Sequence, residues 1–161
     1  MSASTQEDIL SRSGKYLTFV LGNEQYGVEI LKIREILKLM PITPVPQTPQ
    51  AMKGVINLRG KVIPVVDLRL KFGMKEKEHT QETCIIVVVV HEELIGIIVD
   101  TVREVMDILE SQIEDPPRFG TQSGHDVIRG LGKVGEHVKI LLNIENVLSG
   151  FNFSAIQMPQ V

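Results

Sequence analysis

The chain has 161 residues, 43% of them apolar and 23% charged, a balance suited to one compact unit or two intimately packed halves. A formal net charge of −3 offers no attraction for nucleic acid, and 4% aromatic residues without Trp leave few stacking surfaces for bases or sugars. The single cysteine, Cys84, excludes an internal disulfide and suits a reducing cytoplasm, while the longest apolar run, 84–90, is far short of the roughly twenty residues a spanning helix needs.

In chain order, residues 1–14 are rich in Ser, Thr and charge, which predicts a flexible N-terminal tail without a signal-peptide core. From Lys15 the chain alternates: Leu17, Phe19 and Leu21 face one way, Tyr16 and Thr18 the other, with "GNE" as a hairpin turn. Ile30, Ile33 and Ile36 recur in steps of three, which predicts a short helical turn leading into another strand. Four prolines in "MPITPVPQTPQ", 40–50, exclude a helix and predict an extended surface connection. "GVINLRGKVIPVVDL", 54–68, reads as two strands around a charged turn, followed by a short helix in "DLRLKFG". "CIIVVVV" is apolar at every position, so both faces of that strand must be covered. Residues 151–161 are expected to form a C-terminal tail.

The pattern occurs twice. At a constant offset of 69, Gly27 falls on Gly96, Arg34 on Arg103 and Glu35 on Glu104; at an offset of 76, Gly54 falls on Gly130, Val62 on Val138 and Asp67 on Asn143. This is an internal duplication, with the extra residues in "ESQIEDPPRFGTQSGHD". Five short strands per copy with Gly- and Pro-rich turns predict a mainly β fold of two small barrels, which closure would free of exposed edges. Cores so thin would have to share apolar surface. The domain expected is therefore 15–150, with one subdomain mainly from 15–73, the other mainly from 82–150, and room for strand exchange between them.

Little in the chain suggests catalysis. The histidines, 79, 91, 125 and 137, stand at spacings that match no metal site, and Cys84 has no basic cluster to activate it. "GLGKVG" lacks the phosphate-loop spacing and leads into a strand. Asp67 and its mate Asn143 suit helix N-caps, because both side chains accept from free backbone N–H groups. The expectation is a protein with no catalytic residue, metal or cofactor.

The repeat also isolates one residue. Flanking strand positions match between copies, but Arg59 in the turn corresponds to Gly135, so the hairpin itself does not require an arginine. It is either a solvated turn cation or a planar donor fork for a carboxylate or partner. Pro64, opposite Ile140, removes a ladder donor and predicts an edge strand or a bulge.

"TPVPQTPQAMKGVINLRGKVIPVVDLRLKFG", preceded by "GNEQYGVEILKIREI" and followed by "LIGIIVDTVREVMDI", closely resembles the CheW family of chemotaxis coupling proteins in its free-standing form. The resemblance runs from about Lys15 to Gly150 and implies two five-stranded SH3-like barrels, with short helices, about a pseudo-twofold axis. It implies a non-catalytic adaptor joining the cytoplasmic tips of methyl-accepting chemoreceptors to the histidine kinase CheA, cytoplasmic at membrane-associated arrays without direct insertion. The same motif would serve an adaptor of a chemosensory-like pathway for pili or another output. The receptor groove implied is Leu17, Ile30, Ile33, Ile36, Val99 and Val102; Ile30 and Ile33 are repeat mates of Val99 and Val102, so a twofold axis would bring them together, as groove or as inter-barrel core. The surface for the CheA regulatory domain would include Val45, Asn57, Leu58, Arg59 and the Pro64 edge, with Arg59 beside Glu35. Phe119 matches a second kinase contact, which closes rings; adaptor-only rings are a further option.

Overall fold

A computed structural model describes residues 11–117 and 126–149. The first copy supplies β1 (Gly14–Leu21), β2 (Glu24–Glu29), a 3-10 turn (Ile30–Lys32), β3 (Ile33–Lys38), β4 (Met52–Leu58), β5 (Lys61–Asp67) and α1 (Leu68–Lys71). The second supplies β6 (Cys84–Val90), β7 (Glu93–Val99), β8 (Thr101–Ile108), β9 (Ile113–Glu114), β10 (Ile128–Val134), β11 (His137–Leu142) and α2 (Ile144–Val147).

The strands form two sheets, β3-β6-β7-β5-β4 and β8-β1-β2-β11-β10-β9. Apart from β9, the two orders are the same once repeat mates are exchanged. Each sheet therefore takes its opening hairpin from one copy and its remaining strands from the other. The parallel pairings that join the copies are repeat mates too: Val65 faces Gly96, and Leu141 faces Gly27. The fold is mainly β, two SH3-like subdomains with short helices. Its second sheet has six strands rather than five, because Ile113–Glu114 pairs with β10; the first copy has only the Thr43–Val55 bridge there.

Among the described residues the buried apolar side chains form three clusters. The largest lies between the sheets and is built from repeat mates: Leu17 with Ile86, Phe19 with Val88, Val28 with Ile97, Val66 with Leu142, Leu68 with Ile144. The others fill the subdomain interiors, one around Ile56, Ile63, Ile85 and Val87, the other around Tyr16, Ile108 and Leu141. The alternation of β1 thus places Leu17, Phe19 and Leu21 in the shared core and Tyr16 in a subdomain core. In β6, Ile86, Val88 and Val90 point to the first cluster, and Ile85 and Val87 to the second, so its unbroken apolar run is buried on both faces.

Asp67 caps α1 by accepting from the Arg69 N–H at 2.9 Å, and Asn143 caps α2 by accepting from the Asn146 N–H at 3.2 Å. The steps of three at Ile30, Ile33 and Ile36 are only half helical. The 3-10 turn ends at Lys32, and a bulge between Ile33 and Glu35 then keeps Ile33 and Ile36 on one face, opposite Val88 and Ile86. The same bulge recurs in β8, where Val102 and Glu104 face Phe19 and Thr18.

Two expectations change. Of the two alternatives for Pro64 the edge fails and the bulge holds: β5 sits between β7 and β4 with Pro64 buried, and the β4–β5 register shifts between Met52 and Gly54 beside it. Its partner Val55 exchanges both backbone bonds with Thr43, so Pro64 stands at a non-hydrogen-bonded pair, and the register with β7 begins only at Val65. The missing donor falls where no ladder partner waits. Residues 11–13, placed in the tail by composition, are tied to the second copy: Arg12 donates to Glu110, to Asp115 at 2.8 Å and to the Arg129 carbonyl, and accepts from the Tyr16 hydroxyl at 2.6 Å.

Candidate functional site

The first surface surrounds Arg59. The β4–β5 hairpin closes through two residues, Arg59 and Gly60, with φ of 51° and 87°, the left-handed pair of a type I′ turn. Asn57 secures it by accepting from the Gly60 N–H at 2.8 Å. At the corresponding tip Gly135 has φ of 73°, so copy two uses glycine where copy one holds an arginine in a conformation disfavoured for side chains. Its guanidinium donates to both oxygens of Glu35 at 3.2 and 2.5 Å. This fork holds the Glu35 carboxyl below the ordinary carboxylate range. The pair borders an open basin of about 490 Å³ lined by Arg34, Glu35, Leu58, Arg59, Lys61, Ile63 and Leu94. Three cations and one carboxylate over an aliphatic floor suit an acidic partner with an apolar anchor.

Of the residues assigned to this surface, Glu35, Leu58 and Arg59 come together, with Asn57 supporting the turn. Val45 is half-buried in the Pro-rich connection, its carbonyl accepting from the Thr48 hydroxyl, and is not part of the basin lining. Pro64 is buried in the strand behind. Phe119 lies outside the described residues.

The second surface follows the seam between the sheets. All but one of its assigned residues belong to the shared cluster: Leu17 and Val99 are buried, while Ile30, Ile33 and Val102 are partly buried against it. Leu17 and Val99 therefore form the floor's support rather than its surface. Ile36 is 44% exposed on the same face of β3 as Ile33. Two further aliphatic side chains are exposed: Val105, the repeat mate of Ile36, 48% exposed opposite Leu17 on β1, and Leu31, 90% exposed in the 3-10 turn between Ile30 and Ile33. The repeat could have found Val105, since its offset from Ile36 is the same 69; an exposed Leu31 leaves no such mark.

Ion pairs brace both flanks of this seam. Arg69 of α1 donates to both oxygens of Asp100 at 2.8 and 3.0 Å, and the Gly22 N–H adds a third bond at 2.8 Å. Burial opposes ionisation of Asp100, yet the Arg69 fork and the Gly22 N–H outweigh it and hold the carboxyl below its ordinary value. On the other flank Lys32 meets Glu145 of α2 at 3.3 Å. Arg69 and Glu145 are repeat mates, so the two braces carry opposite polarity.

The chain is a two-lobed β module whose surface carries an aliphatic seam and a charged basin. The family model described as CheW-like domain matches residues 15–151, and the chain belongs to that family of chemotaxis scaffold proteins. The chemotaxis protein CheW of Klebsiella aerogenes is 39% identical over 135 residues, covering 84% of this chain and 81% of that protein. Its counterpart in Helicobacter pylori is 32% identical over 147 residues, covering 91% and 88%. The crystal structure of the scaffolding protein TtCheW from Thermoanaerobacter tengcongensis superposes with a TM-score of 0.77 at 35% identity, covering 84% of this chain and 92% of that one. No helix among the described residues is long and apolar enough to cross a membrane.

Proposed function

We propose that this chain is a bivalent coupler, holding chemoreceptor tips and the histidine kinase CheA in one membrane-associated cytoplasmic complex. The seam, through Ile30, Ile33, Ile36 and Val102, takes one face of the receptor's helical hairpin, a helix-in-groove mode. The Arg59 basin takes the regulatory domain of the kinase, and Arg59 serves there as an organiser of Glu35 and of the partner rather than of the hairpin. The observation that carries this reading is the presence of two chemically different faces on one shared core. No reaction is needed: a receptor shift that changes contact energies by about 1–3 kcal/mol is enough to bias a bound kinase between states.

The experiment is a paired pull-down with a receptor-tip fragment and a CheA-like kinase. Ile36→Asp, at an exposed position, is expected to lower receptor capture by roughly 2–4 kcal/mol, as an interface hot spot does, while kinase capture persists. Arg59→Ala is expected to do the reverse. A folded Ile36→Asp that retains receptor, or an Arg59→Ala that binds and activates kinase normally, refutes the corresponding surface.

A further inference from the structure

The apolar floor of the seam has a twofold ambiguity. Ile30, Ile33 and Ile36 are related by the repeat to Val99, Val102 and Val105, so each pair differs by a single methylene. A helix lying on such a floor meets almost the same aliphatic surface when its direction is reversed. Coupling that transmits a directional shift needs one direction, so something outside the aliphatic set must choose it.

The flanking residues break the symmetry. Between Ile30 and Ile33 stand Leu31 and Lys32; between Val99 and Val102 stand Asp100 and Thr101. The Arg69–Asp100 pair is closed, with side chains only 15% and 12% exposed and with further bonds to the Gly22 N–H and the Lys75 carbonyl. The Lys32–Glu145 pair is open, with side chains 34% and 35% exposed, beside a Leu31 that covers nothing in this chain. One flank thus presents a sealed pair, and the other presents an accessible cation, an accessible carboxylate and a free aliphatic side chain. The two ends of a helix differ in sign, positive at the N-terminus and negative at the C-terminus, so the two directions are not equivalent beside such a pair.

We propose that Lys32 and Glu145, together with Leu31, are the residues that fix the direction of the helix on the seam. The proposal rests on the receptor-groove reading above. The aliphatic floor supplies affinity, and the open pair supplies polarity.

The test uses the full chain with methyl NMR and a receptor-tip hairpin fragment carrying a nitroxide at one end of its groove-contacting helix. In the natural protein the label is expected to broaden Ile36 or Val105, but not both alike. In Lys32→Glu/Glu145→Lys the ion pair re-forms with inverted polarity, and the broadening ratio is expected to shift roughly fivefold toward the other residue, the scale set by an exposed ion pair. Lys32→Gln/Glu145→Gln, which removes both charges without reversing them, is a milder second variant and should even out the two signals. An unchanged one-sided pattern in both variants overturns the proposal, as does equal broadening in the natural protein. Failure of the groove reading looks different: the hairpin does not bind the natural protein, or it binds Ile33→Asp as well, and the direction proposal then falls with it.

Discussion

Gly54 offers a measurable check on how the Arg59-bearing subdomain is held. Its φ is +144°, and a Cβ there would lie 2.7 Å from the carbonyl carbon of Thr43 and 3.0 Å from Cα of Pro44, closer still to the Thr43 oxygen. Backbone cannot yield as a side chain does, so Gly54→Ala must push the Pro-rich connection off β4. The two bonds exchanged by Thr43 and Val55, at 2.8 and 2.9 Å, would be lost. Two net hydrogen bonds at about 1 kcal/mol each, with about 1–2 kcal/mol for the backbone conformation, give roughly 3–4 kcal/mol. For a chain of this size that lowers the melting temperature by roughly 10 °C. Gly60→Ala is the control, because Gly60 has φ of +87° but nothing within 4 Å of an added Cβ, so it should lose only about 1 kcal/mol. Urea titrations of both variants, followed by far-UV circular dichroism, separate contact from conformation. Equal losses in the two variants would refute the assignment of the cost to the Thr43 contact.

Arg59→Gly places in copy one the residue that copy two already uses at φ of 73°, so its urea midpoint should match or exceed that of the parent while kinase capture is lost. A marked drop in the midpoint would make Arg59 structural. Asp100 predicts a pH dependence. Its folded-state pKa is depressed, so its stabilising contribution is present above the unfolded value near 4 and is lost as pH falls through the lower folded value. Asp100→Asn should therefore be less stable than the parent at pH 7, with the gap closing below about pH 4; a gap of constant size at pH 7 and pH 3 would refute the pairing as its cause.

Much of the candidate site could be read from local pattern, but exposure could not. The offset of 69 links Ile33 to Val102, and the structure brings both against one cluster. Nothing local, however, distinguishes Val99, which supports the seam from within, from Ile36, which reaches solvent; both are aliphatic strand residues with an aliphatic repeat mate. Arg59 was identifiable as dispensable for its turn because its mate is Gly135, and the structure adds that it occupies a left-handed conformation opposite Glu35. Pro64 carried two alternatives, and the structure keeps one: the bulge is there, since the β4–β5 register shifts between Met52 and Gly54 beside the Val55–Pro64 pair, while the edge is not. A missing donor signals an edge only when every ladder position needs its N–H, and Pro64 falls at a pair that exchanges no backbone bonds.

What the order of residues determines alone is whatever depends on neighbours along the chain: the strands and their turns, the capping side chains, and the duplication that fixes which positions are equivalent. Pairing between copies is a different matter, because β1 and β2 could satisfy the same backbone donors with strands of either half. The folded chain gives them to β8 and β11, and gives β6 and β7 to β3 and β5, an exchange that lays one face of the apolar strand β6 on the shared core and the other on a subdomain core. The seam, its exposed rim and the opposite polarity of its two braces follow from that pairing, and so they exist only in the tertiary structure.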